Sequence, residues 1–156
     1  MAGAIETLRT GATMVVDDMS LGQHLDRGHA EAALQAYEDS GVRAMLGFSM
    51  IDKAIVDSWP FVDECFPPDV LKNLRSLPRP DGDALLDLVR DLAATHHPGE
   101  DRVGVLVAPS APQRCTNNFL RKSRALADEL NLPVILHVNE TRLQVITAQE
   151  FYGQGM

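Results

Sequence analysis

The chain has 156 residues, of which 45% are hydrophobic, 23% charged and 5% aromatic. That composition suits one globular domain with a real core and excludes a disordered chain. The net charge of −8, with no basic patch in the sequence, argues against nucleic acid and anionic membrane surfaces as partners. No apolar run approaches membrane-spanning length. The opening MAGAIETLRTG lacks the charged-then-apolar order of a secretion signal. Cys65 and Cys115 lie far apart without CxxC spacing and read as free thiols of a reducing, cytoplasmic setting.

Residues 2–10 are expected to be helical, with Ile5 and Leu8 on one side and Gly11 as the stop. ATMVVDD is a β-branched run ending in acids and reads as a first strand. HLDRGHAEAALQAYEDSG reads as a helix closed by Gly41, and VRAMLGFSM as a second strand. Residues 52–80 carry Trp59-Pro60, Pro67-Pro68 and Arg79-Pro80 and are expected to form an irregular insertion. DGDALLDLVRDLAATHH is the clearest helix, with Leu85, Leu88, Val89 and Leu92 at helical spacing and Asp81 or Asp83 as cap. DRVGVLVAPSAP reads as a third strand. Thr116 is placed to cap the helix that follows, whose buried face holds Phe119, Leu120, Leu126 and Leu130. PVILHVNET reads as a fourth strand, and RLQVITAQEFYGQGM opens a last helix.

Strand starts near Thr13, Val42, Val103 and Pro133 leave two intervals of about 30 residues, the size of a βα repeat. Strict alternation predicts an α/β fold with about four parallel strands, right-handed crossovers and flanking helices. An open doubly wound sheet and a partial (β/α)8 TIM barrel both fit. No glycine-rich phosphate loop follows any strand, so a dinucleotide or P-loop assignment lacks its mechanism. The strand ends carry polar clusters instead, and in both architectures those ends gather on the ligand-binding face.

The fourth strand ends on His137 and, three residues on, Glu140. A neutral imidazole there can give a lone pair to a metal; a hydrogen-bonded core histidine is the alternative. Glu140 can move a proton or simply favour the dipole of the helix that follows. Asp17 and Asp18 close the first strand and can orient a substrate or a histidine, or cap the next loop. Ser49 and Asp52 follow the second strand. Ser110, Gln113 and Arg114 follow the third and are candidate substrate-binding residues, with a surface ion pair as the alternative for Arg114. Trp59 and Phe61 can cover a flat ring or pack the insertion down. His24, His29, His96 and His97 do not have ligand-like placement, and Cys115 lacks a base.

ETLRTGATMVVDD, SGVRAMLGFSMID, VLVAPSAPQRCT and above all LPVILHVNETRLQ resemble consecutive blocks of the amidohydrolase superfamily, in the branch of chlorohydrolases and cytosine and guanine deaminases. The resemblance implies a (β/α)8 barrel in which His-x-x-Glu at the end of the fifth strand supplies a metal ligand, His137, and a proton-shuttling carboxylate, Glu140. It implies Zn or Fe(II) as cofactor and hydrolysis of a non-peptide carbon–nitrogen bond in a small nitrogen heterocycle or amide-like substrate. The chain departs from the family in having no His-x-His. Residues 1–156 are therefore expected to form one incomplete barrel segment, strands two to five, with an incomplete ligand set and a tendency to homo-oligomerise. A non-catalytic half-barrel module is the alternative.

Overall fold

The computed structural model describes residues 2–20 and 25–155. Its elements are α1 (Ala2–Arg9), β1 (Met14–Met19), α2 (Arg27–Ser40), β2 (Arg43–Phe48), α3 (Val62–Cys65), α4 (Pro68–Arg75), α5 (Gly82–Ala93), β3 (Val103–Val105), α6 (Asn117–Leu130) and α7 (Arg142–Tyr152). The helix starts are set by side-chain caps: Asp26 for α2, Asp81 for α5, Thr116 for α6 and Thr141 for α7. Each accepts a hydrogen bond from a backbone N–H of the first turn that has no partner inside the helix. Gly41 ends α2 at φ 79°, in the left-handed region that glycine enters without steric cost.

The three strands form a parallel sheet in the order β1-β2-β3, with Met14 opposite Arg43 and Ala44 opposite Val103. Alternation along the strands divides the side chains between two faces. Ala44, Leu46, Phe48, Val103, Val105 and Val107 point to the face covered by helices and pack there with Leu34, Val89, Leu92, Phe119 and Leu126. Asp18, Gly47, Leu106 and Ala108 belong to the opposite, inner face. There a Cβ on Gly47 would lie 2.6 Å from Ala108 Cβ and 2.7 Å from Leu106 Cδ1.

The expected fourth strand is present in reduced form. Residues 133–137 run parallel to the continuation of β3, with a bridge between Val107 and Val134. Val107 N donates to Pro133 O at 2.9 Å, Ile135 N to Val107 O at 3.0 Å and His137 N to Ser110 O at 3.0 Å. Val134 and Val138 are exposed. A strand paired along one edge only makes the bonds of that edge and leaves its other backbone groups to solvent or to a further strand. The 52–80 stretch also differs from the irregular insertion expected. It contains a 3-10 turn at Ile55–Ser58 and the helices α3 and α4, folded on a small core of its own made of Ala54, Val56, Val62 and Leu71.

Cys65 is exposed and Cys115 buried, and neither is in a disulfide. Burial pushes the Cys115 thiol up to about 11, and burial with the Asp17 bond pushes Tyr37 up to about 12. Both folded values lie above the unfolded ones, so the unfolded chain loses these protons first and stability falls as pH rises through 9 to 11. We expect Cys115→Ala to flatten that loss by on the order of 2 kcal/mol. Melts at several alkaline pH values read it directly. A thiol reagent on the native chain should modify Cys65 and spare Cys115.

Candidate active site at the carboxyl ends of the strands

His137 stands where the fourth extended segment leaves the sheet, and its side chain is partly exposed. Its Nδ1 lies 3.0 Å from the carbonyl oxygen of Ser110. A carbonyl only accepts, so Nδ1 carries the proton and Nε2 is the ring nitrogen with a lone pair. Nδ1 is also 3.3 Å from Oδ2 of Asp18. Asp18 sits on β1 and His137 on the fourth segment, three strand spacings away. In a flat sheet that is about 14 Å, more than an aspartate and an imidazole can span. The contact therefore requires a sheet that curls strongly towards its inner face, the curvature of a closing barrel.

The Asp18 side chain is 8% exposed. Among the described residues neither carboxylate oxygen has a hydrogen-bond partner of full geometry. Burial raises its carboxyl above the ordinary carboxylate value, and the His137 imidazole, the Ser49 hydroxyl and the Arg114 guanidinium pull the other way.

The turn after His137 is held by a residue that sequence reasoning passed over. Gln144 is buried on α7. Its Oε1 accepts from Glu140 N at 2.7 Å, and its Nε2 donates to His137 O at 2.9 Å and to Gln113 Oε1 at 3.2 Å. One amide thus fixes both residues of the His-x-x-Glu pair across the left-handed Asn139, φ 56°. The signal was present: Thr141-x-x-Gln144 is a capping-box pattern, here reaching one residue further back. We expect Gln144→Leu to destabilise the chain by about 1–3 kcal/mol, because it leaves buried polar groups unpaired. Faster amide exchange at Glu140 would report it.

The other candidates fall out as follows. Ser110 is buried beneath the ring, and Arg114 Nη1 donates to its hydroxyl at 3.1 Å. Gln113 is buried too; its side chain meets Gln144, and its carbonyl accepts from Lys53 Nζ at 2.9 Å. Gln113 therefore ties the loop after β3 to α7 through Gln144 and to Lys53. Glu140 is exposed, and among the described residues its carboxylate has no bonded partner. Asp52 accepts from Thr116 N at 2.7 Å and ties the second strand's loop to α6. Asp17 points outward to the Tyr37 hydroxyl at 2.8 Å. Trp59 and Phe61 are exposed; Trp59 stacks on Phe66 and Phe61 N donates to Glu150.

His29 pairs with Asp26, His96 with Thr95 and His97 with Leu130 O; His24 lies outside the described residues. Among the described residues no group of three or more His, Cys, Asp or Glu can hold a metal ion. His137 fits one vertex of a metal site, with Nδ1 anchored and Nε2 bare, and the chain's described residues do not complete the set.

Among curated proteins, the chain is 29% identical over 154 residues to a 5-methylthioadenosine/S-adenosylhomocysteine deaminase of Aquifex aeolicus. The match takes in 99% of this chain and 29% of that protein. Among solved structures it superposes on the zinc complex of an atrazine chlorohydrolase from Arthrobacter aurescens with a TM-score of 0.78 at 18% identity, covering 99% of this chain and 32% of that one. A zinc-bound adenosine deaminase from Xanthomonas campestris gives a TM-score of 0.68 at 26% identity, over 97% of this chain and 28% of that one. The chain thus spans less than a third of the length of these proteins. The curled parallel sheet agrees with this likeness, and the family model for the amidohydrolase family matches residues 1–156. On that match over its whole length, the chain belongs to the amidohydrolase family.

Proposed function

We propose that this chain is the segment of a metal-dependent amidohydrolase that supplies one metal ligand, His137, and the proton-moving carboxylate, Glu140. The reaction is hydrolysis of a carbon–nitrogen bond in a small nitrogen heterocycle: water adds its oxygen to the ring carbon, the C–N bond breaks, and ammonia leaves. The single observation that carries the reading is the state of His137. Its Nδ1 is held by the Ser110 carbonyl at 3.0 Å, which leaves Nε2 as the donor nitrogen. The names of the relatives, deaminases of 5-methylthioadenosine and of 5'-deoxyadenosine, support an exocyclic amine as leaving group.

A divalent metal, zinc or Fe(II), when bound, supplies Lewis acidity that makes water nucleophilic near neutral pH; the zinc-bound solved structures favour zinc. The chain's own residues do the rest. His137 presents a fixed nitrogen. Glu140, exposed on a pinned turn, takes a proton from the attacking water and returns it to the departing nitrogen. Arg114, held by Ser110, is placed to bind an acidic or carbonyl-bearing group of the substrate, and Ser110 keeps both His137 and Arg114 in place.

Residues 1–156 act as one barrel segment in this reading, and the remaining ligands come from strands that complete the barrel. The same reading has the chain in the cytoplasm, which the two unpaired thiols support. It takes neither nucleic acid nor membrane as partner, in keeping with the net charge of −8. No helix among the described residues is long and apolar enough to cross a membrane. It also self-associates. On α7, Leu143, Val145 and Ile146 are exposed while Gln144, Thr147 and Ala148 are buried, and Met14 and Val16 are exposed on the edge strand β1, an arrangement that favours association.

Ammonia release tests the proposal. Incubated with 5-methylthioadenosine and zinc, the chain alone should release none, and the chain joined to the remaining barrel strands of the Aquifex aeolicus relative should release it. Equal release from the chain alone would mean that the site is elsewhere.

A further inference from the structure

Among the described residues, Asp18 is a buried inner-face carboxylate that the proposed reaction does not use. Its side chain is 8% exposed, and among the described residues neither oxygen has a hydrogen-bond partner of full geometry. Burying a carboxylate in that condition costs stability. An apolar residue at this buried point of the strand would carry no such cost. What the carboxylate does have is the imidazole of His137, with Nδ1 at 3.3 Å from Oδ2. Gly47 faces Asp18 across the β1–β2 ladder. A side chain there would strike Ala108 and Leu106 and would lie 3.4 Å from Ile135 Cγ2. The bare glycine therefore keeps open the space through which Asp18 reaches His137.

We propose that Asp18 is a positioning residue for His137. Its buried carboxylate attracts the Nδ1–H, holds the ring in that tautomer and keeps Nε2 as the lone-pair nitrogen. This rests on the reading of His137 as a ligand. The Ser110 carbonyl also accepts from Nδ1, at 3.0 Å, but it already accepts the His137 backbone N–H at 3.0 Å. It is a neutral acceptor with two donors, and a carboxylate adds the stronger, charge-assisted attraction. The free ring prefers the proton on Nε2, so a site that needs Nε2 bare must supply such an acceptor.

The test is the 15N spectrum of the His137 ring in this chain, metal-free, at about pH 9, where an imidazole is neutral. Wild type should show one tautomer, protonated at Nδ1. In Asp18→Ala the Nε2–H tautomer should rise about tenfold, the effect of losing one charge-assisted hydrogen bond. Asp18→Asn, whose amide oxygen still accepts, should restore most of the wild-type pattern. The melting temperature should change little in Asp18→Ala, because losing the attraction to His137 and removing the cost of burying a carboxylate oppose each other; a purely structural role would lower it. An unchanged tautomer ratio in Asp18→Ala, or a lower melting temperature with the ratio intact, would overturn the proposal. The ratio is read without metal, so it decides on Asp18 whether or not His137 holds one.

Discussion

Gly47→Ala should destabilise the chain by about 2–3 kcal/mol, although alanine is the better residue for a strand. The added methyl would lie 2.6 Å from Ala108 Cβ and 2.7 Å from Leu106 Cδ1. The leucine tip can swing aside. The alanine Cβ is fixed to the backbone of the chain running beside β2, so β2 and that neighbour must separate. Because Gly47 is level with Asp18, the separation would also flatten the curl that brings Asp18 to His137. Ala108→Gly in the Gly47→Ala background should recover part of the loss, and a double-mutant cycle from denaturant melts measures how much. If Gly47→Ala proves neutral, the inner face is looser than these distances indicate.

In the completed barrel, Glu140→Gln should lower the rate by about 10²–10⁴-fold while leaving bound metal unchanged. Glutamine keeps the shape of the side chain and removes the proton acceptor. The Glu140 backbone N–H would still donate to Gln144, so the turn should hold. His137→Ala should behave differently and lose metal together with rate, because it removes a donor nitrogen. Metal analysis beside ammonia release on the same samples separates the two. A Glu140→Gln protein with full rate would remove Glu140 from the proton path.

Much of this was legible in the sequence, for physical reasons that differ from element to element. The α/β order, parallel strands and helix caps follow from periodicity and from Asp, Thr and Gly at helix ends, which are local properties. The place of His137 and Glu140 at the end of an extended segment was legible in the pattern of that strand, while the roles proposed for them rest on the family resemblance. The fourth strand was read as complete because VILHV is apolar and β-branched, but pairing depends on what lies along its other edge, which composition does not carry. The order within 52–80 was missed because Pro67-Pro68 reads as a breaker, whereas Pro68 opens α4 as its first residue. The bond between Gln113 and Gln144 spans 31 positions and leaves no mark on either segment. The approach of Asp18 to His137 depends on sheet curvature, and α7 buries Gln144 while it exposes Leu143, against the usual pattern.

The most direct test of the account is a zinc titration of this chain, followed by the 15N signals of its histidine rings. The Nε2 signal of His137 should move as zinc is added and Nδ1 should stay protonated, with the movement saturating only at high zinc because the ligand set is incomplete. Zinc that leaves the His137 ring untouched and shifts His29 or His96 instead would contradict the assignment of His137 as the metal-holding residue.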